Sequence, residues 1–125
     1  MAFSQLYVCD ACGHDELLVH AEEWTPGAGG AILPYPGSGP VGGLANRLWC
    51  PRCRAVRAHP FVRLDPPGAH PVVAYAEAQR LGCDGTETGP CPVCRTPLTW
   101  SLDGQPCPAC PNGTMCLTGE WEDAV

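Results

Sequence analysis

At 125 residues the chain has the length of one domain, yet 15 Gly, 15 Pro, a single Ile and two Phe leave little apolar bulk for one large core. The formal charge of −6, with Arg as the sole basic residue type, disfavours a general polyanion binder, and no apolar run is long enough for a transmembrane helix. A core this thin needs cross-links or metals, and ten Cys supply the means.

The opening MAFSQLYVCD has neither a basic start nor a long apolar run, so a cytoplasmic, reducing setting is expected, where thiols bind metal rather than pair. FSQLYV reads as a strand, CDACGH as a knuckle and ELLVHAEEW as a second strand. In residues 25–43, 11 of 19 positions are Gly or Pro, which predicts a long excursion without regular elements. At its centre AILPYP places Ile32, Leu33 and Tyr35, a candidate docking segment beside the plainer reading of a loose insertion.

After CPRC, the run AVRAHPFVRL alternates. Val56, Ala58, Val62 and Leu64 fall on one face, and Arg57, His59, Phe61 and Arg63 on the other. Pro60 makes this an edge strand or marks a bulge. DPPG then breaks the strand. HPVVAYAEAQRLG predicts the one helix, with Pro71 near its start and Gly82 as its stop. From GPCPVC to CPAC a second hairpin is expected, with a tight turn at Asp103-Gly104. Asn112-Gly113 reads as another turn, TMCLT as a strand and GEWEDAV as an exposed acidic tail.

Eight cysteines form four Cys-x-x-Cys pairs: Cys9 and Cys12, Cys50 and Cys53, Cys91 and Cys94, Cys107 and Cys110. A two-residue gap lets a tight turn aim both sulfurs at one tetrahedral ion, so two pairs make one four-cysteine site. The expected assignment is sequential. Cys9, Cys12, Cys50 and Cys53 would form the first site, with 37 residues between pairs; Cys91, Cys94, Cys107 and Cys110 would form the second, with 12 between. A disulfide framework wants a secreted setting, and a redox centre wants a helix after the motif; neither accompanies these pairs. Cys83 and Cys116 are left over and read as small buried hydrophobes, and His14, His20, His59 and His70 lack ligand spacing.

These knuckles resemble the zinc-ribbon superfamily, in which two hairpin turns clasp one ion. The resemblance implies a small, metal-stabilised, mainly β fold: two tandem zinc ribbons of β-hairpin knuckles joined by one short α-helix, holding two Zn2+. The first ribbon would occupy residues 1–66, the linker and helix 67–88, the second ribbon 89–119 and the acidic tail 120–125. Only Gly13 occupies the customary glycine place after a knuckle. Arg54, Arg95 and Pro111 stand at the other three, so those turns are expected to be less regular. The first two knuckles, YVCDACG and WCPRC, also resemble those of rubredoxins, which implies iron as an alternative at the first site.

A closed set of four cysteines leaves no position for substrate, and no phosphate-cradling motif, nucleophile elbow or acid pair is apparent, so an enzyme is not expected, nor a small-molecule substrate. The favoured function is a protein-binding adaptor, accessory factor or subunit of a larger assembly. The alternative is a nucleic-acid-binding ribbon, because Arg47, Arg52, Arg54, Arg57 and Arg63 lie in 17 residues free of acids, with Phe61 or Trp49 available to stack. Against it, each zinc tetrathiolate centre adds a formal −2, taking the chain from −6 to about −10. For either partner the contact residues would be Arg47, Arg52, Arg54, Arg57, Phe61 and Arg63, and Trp24, Trp49, Trp100 and Trp121 are further candidate anchors.

Overall fold

Because the chain lacks long apolar segments, its order comes from one antiparallel sheet and from sulfur clusters at the sheet's margins. The computed structural model of the protein describes residues 3–122. Its strands are β1 (Phe3–Cys9), β2 (Asp15–Pro26), β3 (Ile32–Pro34), β4 (Val41–Cys50), β5 (Ala55–Gly68) and β6 (Met115–Glu122), with one α-helix among the described residues, α1 (Pro71–Leu81). The sheet runs β5-β4-β2-β1-β6, with β3 also on β2. The fold is therefore small and mainly β, as expected.

The first hairpin forms where the two strands were expected, with Phe3 opposite His20 and Val8 opposite Asp15. The Gly/Pro-rich stretch, expected to be irregular, instead carries β3 and the start of β4. Trp24 pairs with Pro34 and Pro26 with Ile32, so the excursion folds back as a short arm on β2. Gly42 and Gly43 belong to β4 because a side chain there has no room. A Cβ at Gly42 would lie 2.2 Å from the Trp24 ring, and one at Gly43 would lie 1.7 Å from the Val62 carbonyl oxygen. These glycines let the buried indole cross the strand.

Pro60 does mark a bulged edge strand. Leu44 pairs with Val62 and Ala45 with Pro60, leaving Phe61 as the extra residue, and β5 is terminal in the sheet. Phe61 consequently packs against the cluster of Val41, Leu44, Val62, Ala74 and Ala78 rather than facing outward with the arginines. The expected break at DPPG does not occur: β5 continues through Gly68, where Gly68 pairs with Val41.

The helix falls where its signals put it. His70 caps it by accepting a hydrogen bond from the Val72 N–H, Pro71 takes the first turn, and Gly82 closes it in the left-handed region at φ 74. It buries Ala74 and Ala78 against β4 and β5.

The C-terminal third departs most from expectation. Residues 89–114 contain bridges but no extended strand, and Thr99 exchanges two backbone hydrogen bonds with Trp49 at the end of β4 (3.0 and 2.8 Å). The strand expected at TMCLT is longer and continues through Trp121 and Glu122, pairing with β1 from Cys9–Met115 to Phe3–Glu122. Residues 120–122 of the expected acidic tail are thus strand; residues 123–125 lie outside the described residues.

One buried polar side chain ties the long linker to the sheet. The Asn46 side-chain oxygen accepts from the Ala21 N–H (2.8 Å), and its amide donates to the Gly85 and Glu87 carbonyls (3.3 and 2.8 Å). Asn46→Leu keeps the volume but strands these groups away from water, so it should cost about 1–3 kcal/mol. Urea unfolding of the metal-loaded chain measures this, and an unchanged midpoint would refute it.

Candidate metal centres

The four knuckles meet in pairs, but not in sequential order. Cys9 and Cys12 join Cys107 and Cys110, while Cys50 and Cys53 join Cys91 and Cys94; in each group all sulfurs lie within 4.8 Å of one another. The sequential assignment is therefore corrected to a nested one, with an outer centre closed by the chain's two ends and an inner centre enclosed between them. The cause is strand order. Pairing of β6 with β1 carries the last knuckle to the first, and the Trp49–Thr99 bridge lays the third knuckle beside the second. Each knuckle pair thus crosses between the two ribbons that the sequence suggested.

The geometry suits a tetrahedral ion. Four sulfurs about 2.3 Å from one ion stand about 3.8 Å apart. The closest approaches here are 3.6 Å for Cys9–Cys110, 3.7 Å for Cys12–Cys107, 3.4 Å for Cys50–Cys94 and 3.8 Å for Cys53–Cys91. No cysteine is in a disulfide among the described residues. Both centres fit a metal ion by donor type, number and spacing.

Backbone amides are aimed at the sulfurs. Ala11 and Cys12 N–H donate to Cys9 Sγ (both 3.4 Å), Cys53 N–H to Cys50 Sγ (3.3 Å), Val93 N–H to Cys91 Sγ (3.4 Å) and Ala109 N–H to Cys107 Sγ (3.3 Å). Such donors stabilise thiolate. Without an ion the Cys9 thiol is drawn down to about 6, chiefly by the Cys12 N–H, and Cys94 to about 6, chiefly by Thr96. Sharing among neighbours pushes Cys53 up to about 11, with Cys94 the main cause.

The knuckle turns are more regular than the missing glycines suggested. Arg54 and Arg95 adopt φ of 54° and 69°, beside 76° for Gly13, and the N–H of each donates to the carbonyl of the first cysteine of its knuckle. Two non-glycine residues thus accept a left-handed conformation so that the turn can close. Pro111 lacks an N–H, and in that knuckle the Cys107 carbonyl accepts from the Arg54 guanidinium instead, while the Cys107 N–H donates to the Gly113 carbonyl (3.0 Å).

Gly113 is a site residue that sequence reasoning missed, having read it only as part of a turn. It is buried, and a Cβ there would lie 2.0 Å from Cys9 Sγ and 2.9 Å from Cys110 Sγ. The signal available was weak: a glycine three residues beyond a cysteine. Gly113→Ala should weaken the outer centre by at least about tenfold while leaving the inner one intact. Competition with a chromophoric chelator resolves the two, and equal affinities at the two centres of the variant would refute the assignment.

The arginine-rich stretch is shared among several internal contacts. Arg47 pairs with Glu22, and Arg54 donates to the Cys107 carbonyl, linking a knuckle of the inner centre to one of the outer. The Arg57 guanidinium faces the Cys53 and Cys91 sulfurs, which favour its charged form. Arg63 lies over the Trp24 ring, 5.6 Å from its centroid, and Arg52, Arg54 and Arg63 are exposed. Trp24 and Trp49 are buried, Trp100 is half-buried and Trp121 is exposed.

Cys83 and Cys116 join neither sulfur group; Cys83 packs under the helix. Among the histidines, His14 bonds Glu16 (2.9 Å), His70 caps α1, and His20 packs against Phe3 and Trp100, where burial lowers its pKa. Comparison with protein-family models, with curated proteins and with solved structures finds no match to this chain.

Proposed function

We propose that the chain is a non-catalytic zinc-binding interaction module, in which two Zn2+ ions hold the sheet together and its exposed surface serves a protein partner as an adaptor, accessory factor or assembly subunit. The observation that carries this reading is the pair of four-sulfur groups at tetrahedral spacing. Each offers a complete ligand set, so an ion there would have no position left for a substrate or water, which is the arrangement of structural rather than catalytic zinc. Thiolate softness favours zinc among common divalent ions, with iron the alternative.

A protein partner is favoured over nucleic acid by two features. Arg47, Arg54 and Arg57 each contact other groups of the molecule, although Arg54 is also exposed, and filled centres would bring the charge to about −10. Leu17 and Trp121 are also exposed, and their partners Leu6 and Ser4 on β1 put them on one face of the sheet. An exposed Trp beside an aliphatic residue is the composition of a contact anchor.

Elemental analysis should return two zinc per chain; a red, iron-containing protein would overturn the zinc assignment. Co-purification from the native host after nuclease treatment tests the partner. Survival of a bound protein, with its loss in Trp121→Ala, supports the adaptor. Nucleic acid in the eluate that is lost on charge reversal of Arg52 and Arg63 would support the other reading instead.

A further inference from the structure

The Gly/Pro-rich arm and the start of α1 line an open pocket of about 450 Å³ that lies apart from the sulfur groups. Its walls are Glu23 of β2, Tyr35 and Gly37 of the arm, and His70, Pro71, Val72 and Tyr75 at the helix start. The arm is fixed to the sheet at this point, because the Tyr35 N–H donates to the Glu23 carbonyl (3.1 Å). From the structure we infer that this pocket is a binding site for a small alkylammonium cation.

Three observations carry the inference. First, the wall combines two phenol rings and an imidazole with one carboxylate and contains no Lys or Arg. Aromatic faces carry negative quadrupole density, and a carboxylate beside them adds net negative charge, which together select a cation with an apolar body. Second, Glu23 takes part in no ion pair among the described residues, whereas its neighbour Glu22 is held by Arg47. Third, the Tyr75 hydroxyl is buried beside the Glu23 carboxylate and has no well-aligned hydrogen bond among the described residues. Burial first, and then the charge of Glu23 and a hydrogen bond to it, push its pKa up to about 12, as expected where a carboxylate and a phenol share one pocket.

The same residues argue against an anion. Pro71 has no N–H, the Val72 N–H is taken by the His70 ring (3.1 Å) and the Val73 N–H by the His70 carbonyl (3.1 Å). The helix start therefore lacks the free first-turn donors that hold phosphate or carboxylate. Glu23 would repel either one. The chain's formal charge of −6 adds a long-range attraction for cations.

An alkylammonium head could be free in solution or borne on a side chain of a partner, as in a methylated lysine. Choline and a trimethyllysine peptide separate these sources. The full-length, metal-loaded chain is titrated with choline and with the uncharged isostere of choline that has carbon in place of nitrogen, following the Tyr35 and Tyr75 ring resonances. Choline should shift both rings saturably, and the isostere should bind at least about tenfold more weakly. Glu23→Gln and Tyr35→Leu should each weaken choline by about tenfold or more. Equal binding of choline and its isostere, or rings that do not respond, would overturn the inference. A trimethyllysine peptide that binds more tightly than choline assigns the cation to a protein chain, and one that binds no better assigns it to a free metabolite. Metal content measured on the same samples keeps this result separate from the zinc reading, which stands or falls by itself.

Discussion

A chain with Cys9→Ser and Cys107→Ser should keep one equivalent of zinc, whereas a chain with Cys9→Ser and Cys50→Ser should keep none. Both variants lose two sulfurs, so they differ only in which sulfurs share an ion. In the nested arrangement Cys9 and Cys107 belong to the outer centre and Cys50 to the inner. The first variant therefore damages one centre twice, while the second damages both. Sequential pairing would reverse the outcomes. Serine is a poor ligand for zinc in a thiolate site, and losing one of four ligands is enough to lower affinity sharply. Elemental analysis after gel filtration decides the matter, and equal zinc in the two variants would overturn the nested assignment.

Removal of both ions should unfold most of the protein. Structural zinc in small thiolate sites contributes about 10–16 kcal/mol of apparent binding free energy, comparable to the whole stability of a domain. Here the ions would sit against the cores. Cys9 and Cys107 belong to the cluster of Tyr7, Leu18, Trp49, Leu102 and Met115, and Cys50 and Cys91 to that of Leu48 and Leu98. Metal-free, each cluster would hold four sulfurs in mutual contact with no ion to bind them; Cys9 and Cys94 ionise readily, while Cys12 and Cys53 resist taking a second charge beside them. Near-UV circular dichroism of the buried Trp49 should collapse on adding a strong chelator and return with zinc. Acid should act in the same direction, since protons compete with the ion for thiolate and occupancy falls as pH falls. A chelated chain that keeps its near-UV spectrum would refute the role of the ions as cross-links.

Much of the local structure was legible because its causes are local. The short apolar-rich runs FSQLYV and ELLVHAEEW, separated by a Cys-x-x-Cys turn, give β1 and β2. Pro71 and Gly82 bracket the helix, and Pro60 marks the bulge. Where sequence reasoning failed, the cause was a contact from far along the chain. Gly42 and Gly43 looked like loop residues, but Gly42 makes room for the Trp24 ring and Gly43 for the Val62 carbonyl of the neighbouring strand. The DPPG and GEWE segments looked like a break and a tail, yet neighbouring strands supply ladder partners to both. Propensity is overridden when such partners exist.

The sequence by itself determined that eight of the ten cysteines act in four knuckles, because a Cys-x-x-Cys turn is a local chelating geometry that needs nothing from the rest of the chain. Which knuckles share an ion was decided only by the tertiary structure. Any two of the four could complete a tetrahedron, so spacing carries no preference strong enough to choose; the antiparallel pairing of β6 with β1 does choose, by carrying the chain's last knuckle to its first. The same holds for the arginines and tyrosines. Their presence is read directly, but whether an arginine faces solvent or a thiolate, and whether Tyr35 meets Tyr75, depends on how the arm and helix fold over the sheet.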